Sequence, residues 1–258
     1  MDEFDGLGRS FFAQDTYLAQ DMGGRPAAFG DFASLLRDVP PTMDMKEYYR
    51  LRAQEYDGIY QVARREPEIA ELKAWLTAHV RGRSVLEIAA GTGYWTAVAA
   101  SAAESVTATD LNPEMLSVAE KRKLGPQVML LTADAYALPH FARRFNAGMA
   151  MLWWSHVEKQ RQAEFLAHFA SRLEAGASLL MIDQIYTPPF SSPITREDEW
   201  GNLYTVRTLA SGIRFEIIKN YPTDDELHAA FATVCDDISV MRTKEFWALS
   251  ARVRPRAL

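Results

Sequence analysis

The chain has 258 residues, of which 48% are hydrophobic and 24% charged, with a formal net charge of −6. These values fit one large α/β domain with additions, and the acidic balance argues against a duplex-nucleic-acid surface as the main business. No apolar run approaches the roughly 18 residues of a membrane span, the acidic start Met1–Asp5 does not resemble a signal peptide, and the one cysteine, Cys235, excludes an internal disulfide. A cytoplasmic protein without membrane or nucleic-acid partners is expected.

Residues 1–45 are predicted to be irregular. Gly6, Gly8, Gly23, Gly24, Gly30, Pro26, Pro40 and Pro41 break any long helix. Phe4, Phe11, Phe12, Tyr17, Phe29 and Phe32 are too many aromatics for a disordered tail. The segment is expected to fold over something, as an active-site lid, a homodimer contact or plain packing. A capping-box-like start, Asp44 with Glu47, then opens a helix. Tyr49, Arg52, Tyr56 and Tyr60 recur at three- and four-residue spacing, which predicts one shared helix face. A second amphipathic helix runs from Pro67 to Val80 and ends near Gly82.

Ser84–Ile88 reads as a buried strand, followed by a tight turn with Gly91 and Gly93 and the start of a helix. Glycines there let the backbone pass close to a nucleotide-like ligand. Glu87 precedes Gly91 by four residues and position 96 holds Thr, so the pyrophosphate-binding G-x-G-x-x-G pattern is absent. Val106–Asp110 reads as a second strand, ending in an acid about 20 residues after Glu87, the spacing of a ribose-binding carboxylate. Asn112 is a predicted N-cap, with Pro113 at the first helical position. Val128–Ala135 reads as a third strand with Asp134 at its end.

These segments resemble class I S-adenosylmethionine (SAM) methyltransferases. The first matches their E/D-x-G-x-G-x-G motif, with Ala89 in place of the first glycine. Asp110–Leu116 matches D-x-S/N-P-x-M-L. The resemblance implies SAM as cofactor and S-adenosylhomocysteine (SAH) as product. It implies that Asp110 holds the ribose hydroxyls, and that Asp134 and Ala135 hold the adenine. It assigns Glu87, Ala89, Gly91, Gly93, Trp95, Leu111, Asn112 and Met115 to the cofactor site, with Trp153 from the fourth strand. The family's opening helix, read here as Tyr49–Tyr60, roofs cofactor and substrate; Tyr49 and Arg52 are assigned to the cofactor, Tyr56 and Tyr60 to the substrate.

Phe145–Trp153 reads as a fourth strand, and a helix follows from about Glu158 to Leu173, stopping near Gly176. Ser178–Asp183 reads as a fifth strand. Residues 184–222 form an insertion, with a hairpin over Val206–Lys219 turning at Ser211-Gly212. Thr223 and Glu226 form a capping box for a helix to about Val234, with Cys235 buried and inert at its end. Ile238–Arg242 and Phe246–Val253 close the sheet. The expected fold is α/β and Rossmann-like: a seven-stranded, mostly parallel sheet with helices on both faces and an antiparallel final strand. The methyltransferase domain is expected to span residues 46–258.

Ligands of such sheets bind beyond the strands' carboxyl ends, which places His156 near the transferred methyl as base or orienter. Arg207, Arg214 and Lys219 put cations beside a cleft in an acidic chain, which suggests an anionic substrate. W-x-S-H followed by R-x-L-x-x-G-x-x-F-x-I-x-K resembles a bacterial subgroup that includes phosphonate O-methyltransferases. By that resemblance His156, Arg207 and Lys219, with Tyr56 or Tyr60, surround the acidic head of a small substrate. The expected activity is O-methylation of a carboxylate or phosphonate, without a metal. N- or S-methylation of a natural product and a non-catalytic SAM-binding regulator are the alternatives.

Overall fold

A computed structural model describes residues 41–255. The expected N-terminal extension therefore lies almost wholly outside the described residues. Asp44 opens α1 (Met45–Arg52), its Oδ1 accepting the Glu47 N–H at 2.9 Å. Only half of the expected capping box forms, because the Glu47 carboxylate turns to Arg50. The helix stops after Arg52, and Tyr56–Tyr60 form a separate 3-10 turn. Three-residue bonds, Glu55 N–H to Arg52 O and Gly58 N–H to Glu55 O, tighten the chain there. The single helix face expected for Tyr49, Arg52, Tyr56 and Tyr60 is thus two elements. Edge-to-face ring contacts still join Tyr49 to Tyr56 and Tyr56 to Tyr60, at 6.0 and 6.2 Å.

α2 (Glu66–Val80) carries Pro67 in its first turn and buries Ile69, Leu72, Leu76 and Val80 at helical spacing. Strands and helices then alternate: β1 (Ser84–Ile88), α3 (Tyr94–Ala100), β2 (Ser105–Asp110), α4 (Pro113–Glu120), β3 (Val128–Thr132), β4 (Phe145–Met151), α5 (Gln162–Ala170) and β5 (Leu173–Gln184). After them come β6 (Ile194–Glu197), β7 (Leu203–Thr208), β8 (Arg214–Ile218), α6 (Asp224–Phe231), β9 (Cys235–Arg242) and β10 (Phe246–Val253).

The main sheet has seven strands in the order β3-β2-β1-β4-β5-β10-β9. β1 to β5 pair in parallel, while β10 runs antiparallel to both β5 and β9. Alternation along β1 sends Val85 to one face, against Leu72 and Leu76 of α2. Leu86 and Ile88 go to the other, against Phe165 of α5 and Phe231 of α6. Helices therefore cover both faces, and the strand order reverses between β1 and β4, where such sheets place ligands.

Several boundaries depart from the sequence reading. β4 ends at Met151, not Trp153, because Leu152 turns the chain with φ +59. The helix after it begins at Gln162, beyond a 3-10 turn at Lys159–Arg161, and ends at Ala170, where Ser171 Oγ donates to His168 O. Gly176 does not stop that helix. It lies inside β5 with φ +75, near a register shift against β4 between Phe145 and Ala147. Cys235 opens β9 rather than closing a helix, since α6 stops at Phe231; its thiol is buried, which pushes its pKa up to about 12. The Thr223–Glu226 capping box is complete. The insertion holds one strand more than expected: β6 joins β7 and β8 in a separate three-stranded antiparallel sheet. α1 packs on it through Tyr48, Phe215 and Ile217. Among the described residues no helix is long and apolar enough to cross a membrane.

Candidate active site

At the end of β1 the backbone makes three left-handed turns, at Ala89 (φ +53), Gly91 (φ +58) and Gly93 (φ +76). At Gly93 the need for glycine is double: a Cβ would also sit 2.8 Å from Ala119 Cβ, where α3 meets α4. At Ala89 the sequence accepts the strain that glycine would avoid. Beneath the turn lies Glu87, 1% exposed, whose Oε2 accepts the Thr96 hydroxyl at 2.6 Å. Burial pushes its pKa up to about 8.

Asp110 ends β2 and its carboxylate organises the neighbouring loops. Oδ2 accepts Gly91 N–H and Oδ1 accepts Asn112 N–H, each at 2.8 Å. Burial raises its pKa against the pull of those amides. At the end of β3, Asp134 Oδ1 accepts Tyr136 N–H at 2.8 Å, an Asx-type turn.

These strand ends open into a cavity of about 370 Å³, roofed by α1 and Tyr56. On its far side Trp154–His156 form a 3-10 turn. His156 Nδ1 lies 2.6 Å from Ile218 O and Nε2 lies 2.8 Å from the Tyr49 hydroxyl. A carbonyl only accepts, so Nδ1 carries the proton and Nε2 accepts from Tyr49. Burial, then the nearby Lys219 charge, hold the His156 pKa down to about 3; Arg207 adds to this and Asp183 opposes it.

Of the residues singled out from sequence, Tyr49, Tyr56, Ala89, Gly91, Asp110, Leu111, Asn112, Met115, Asp134, Ala135, Trp153 and His156 line this one cavity. The others are not among its lining residues. Trp95 is a core residue, 2% exposed. Tyr60 stacks on Tyr94 at 3.7 Å. Arg52 lies over the rings of Tyr48 and Tyr56, each at 5.5 Å. Lys219 Nζ donates to Asp183 Oδ1 and Ser155 Oγ, at 3.1 and 2.7 Å. Arg207 donates to Ser192 Oγ, and its charge reaches Tyr49 and His156. Sequence reasoning missed Lys46, Tyr136, Leu152, Glu158, Arg161 and Ile218 in the wall. Tyr136 and Leu152 adjoin strand ends and were within reach of the strand-end rule. Ile218 comes from the second sheet, and no spacing announces it.

A methyltransferase-domain family model matches residues 85–176. A DhpI–SAH complex aligns with a TM-score of 0.67 at 28% identity, covering 81% of this chain and 95% of that one. A DhpI–SAM–HEP complex aligns at 0.66 and 26%, covering 88% and 100%. This chain is a SAM-dependent methyltransferase that resembles the class I enzymes. The magnesium protoporphyrin IX methyltransferase ChlM of Synechocystis PCC 6803, with bound SAH, shares the fold at a TM-score of 0.52 and 14% identity, covering 88% of this chain and 95% of that one. None of the curated proteins compared with it matches.

The methyltransferase's cavity fits its cofactor. The Asp110 carboxylate offers about four lone-pair sites, and after its backbone amides it retains acceptor capacity for a hydroxyl. Asn112 Oδ1 and Trp153 Nε1, on two wall residues, are buried without a hydrogen-bond partner among the described residues. A buried polar atom left in this state is costly unless a ligand satisfies it.

Proposed function

We propose that this methyltransferase methylates an oxygen of a small anionic molecule, a carboxylate or a phosphonate. The state of His156 supports the reading most directly. A base for a neutral hydroxyl or amine works best with a pKa near the operating pH. His156 is instead held near 3, and its Nε2 already accepts the Tyr49 hydroxyl. An ionised acceptor needs no base. What it needs is positive potential and fixed donors, and the fields of Lys219 and Arg207 converge on His156.

When bound, SAM supplies an electrophilic methyl group on a sulfonium. Asp110 would hold the ribose hydroxyls and Asp134 with Ala135 the adenine, between Leu111, Asn112 and Met115. Ala89 and Gly91 would admit the backbone-close end of the cofactor, with Glu87, Gly93, Trp95 and Arg52 shaping the wall from behind. Tyr49, Tyr56 and His156 would orient the acceptor, with Tyr60, Arg207 and Lys219 supporting them. Much of the rate then comes from proximity and orientation. DhpI, the relative aligned above, forms a complex with SAM and HEP, and the subgroup resemblance points the same way.

The test is turnover of SAM to SAH with a panel of small phosphonates and carboxylates, beside amines and neutral alcohols of matched size. Anions are expected to be the better substrates, with Arg207→Gln lowering kcat/KM on them selectively. Faster turnover of the amines or neutral alcohols, unchanged on removing the charges of Arg207 and Lys219, would overturn the reading. Activity lost to a chelator and restored by magnesium would overturn its metal independence.

A further inference from the structure

Asp183 stands near the end of β5 and is 0% exposed, outside the cavity wall. Its Oδ2 accepts the Ser155 N–H at 2.8 Å, and its Oδ1 accepts Gln184 N–H at 2.7 Å and Lys219 Nζ at 3.1 Å. Lys219 in turn donates to Ser155 Oγ at 2.7 Å, and Asn220 N–H donates to Ser155 O at 2.7 Å. Every polar group of Ser155 is therefore gripped, from the main sheet by Asp183 and from the substrate-side sheet by residues that follow β8. Ser155 is the residue before His156, whose own Nδ1–H goes to Ile218 O, next to Lys219.

We infer that Asp183 is a positioning residue for methyl transfer: with Lys219 it clamps Ser155, and so fixes the turn that presents His156 Nε2 to the Tyr49 hydroxyl in the cavity. A buried ion pair is seldom retained for stability, because well-packed apolar groups of similar volume often serve as well, whereas directed hydrogen bonds fix one arrangement. Burial alone would raise the Asp183 pKa; the Lys219 charge and the two backbone amides outweigh it and hold the carboxylate ionised. The clamp also joins two separately hydrogen-bonded sheets at the point where the acceptor would sit. The inference rests on His156 as a wall of the acceptor site, but its test does not depend on which substrate is used.

The test is ¹⁵N-detected NMR of the His156 imidazole in SAH-bound enzyme, with His156→Gln to assign the signal. Two double variants are compared with wild type. Asp183→Leu with Lys219→Met removes the clamp while filling its volume. Asp183→Asn with Lys219→Gln keeps an acceptor for Ser155 N–H and a donor for Ser155 Oγ. The wild type should show a protonated Nδ1 and a bare, hydrogen-bonded Nε2. The apolar pair should lose that pattern for a mixture of tautomers while still binding SAH, and the isosteric pair should retain it. An apolar pair that binds SAH and keeps the wild-type pattern overturns the inference. If the apolar pair fails to fold, the isosteric pair decides alone: retention of the pattern supports the clamp, and its loss overturns it.

Discussion

The Tyr49 hydroxyl donates to His156 Nε2 at 2.8 Å, joining the roof helix α1 to the turn beyond β4 across the cavity. The bond occupies the lone pair that a general base would use. It also predicts how the protein responds to acid. The folded His156 pKa of about 3 lies below its ordinary 6.5, so the unfolded chain takes up a proton that the folded one refuses. This contribution to stability is fully present above about pH 6.5 and is lost as pH falls toward 3. His156→Gln should flatten that limb, by about 3 kcal/mol at most near pH 4. Thermal melts from pH 4 to 8 check it, and in the same range the wild-type rate should show no titration near 6.5.

Glu87 predicts the opposite slope. Its folded pKa of about 8 lies above the ordinary 4.5. The stability tied to its proton is fully present below about 4.5 and is lost as pH rises through 8. Glu87→Gln should therefore be worth on the order of 1–3 kcal/mol at pH 8.5 and little at pH 5. Chemical denaturation of cofactor-free protein at both pH values would show this; equal effects at both would refute it.

Ala89 and Gly93 should respond in opposite senses to exchange of glycine and alanine. Ala89→Gly removes an alanine from φ +53, at the cost of a more flexible unfolded chain, for a net gain of about 0.5–1 kcal/mol. Gly93→Ala adds both the strain of φ +76 and a Cβ 2.8 Å from Ala119 Cβ, and should cost about 2 kcal/mol or more. Melting temperatures of the two variants against wild type measure both.

Asp110 holds the glycine turn through Gly91 N–H and the next loop through Asn112 N–H. Asp110→Ala removes both anchors together with the carboxylate proposed for the ribose. SAH affinity should fall by roughly 100-fold or more, since hydrogen bonds to a charged group are worth about 1.5–3 kcal/mol each. Asp110→Asn, which keeps one acceptor oxygen, should fall less. Isothermal titration reads the difference, and equal affinities for wild type and the alanine variant would remove Asp110 from the cofactor site.

The alternation of strands and helices from Ser84 to Asp134 was legible because local chemistry writes it. Buried β-formers end in an acid, glycines follow where the chain must turn left-handed, and Asn112-Pro113 starts a helix. Those rules operate within a few residues, so the residues between Ala89 and Ala135 that line the cavity could be grouped before the fold was known. They were weaker at element ends: Leu152 and Ser171 stop β4 and α5 for reasons of packing and capping that hydrophobic periodicity does not carry.

By itself the sequence determined the order of the elements, the acids at the strand ends and the nucleotide-like turn, since each depends on neighbours close along the chain. The tertiary structure decided what His156 and Lys219 are. Both looked like side chains free to meet a substrate. Only the meeting of α1, β5 and the end of β8 shows the imidazole taken by Tyr49 and Ile218, and the ammonium buried on Asp183 and Ser155. Burial and charge partners set protonation, and they come from residues 36 to 107 positions away, beyond the reach of any local pattern.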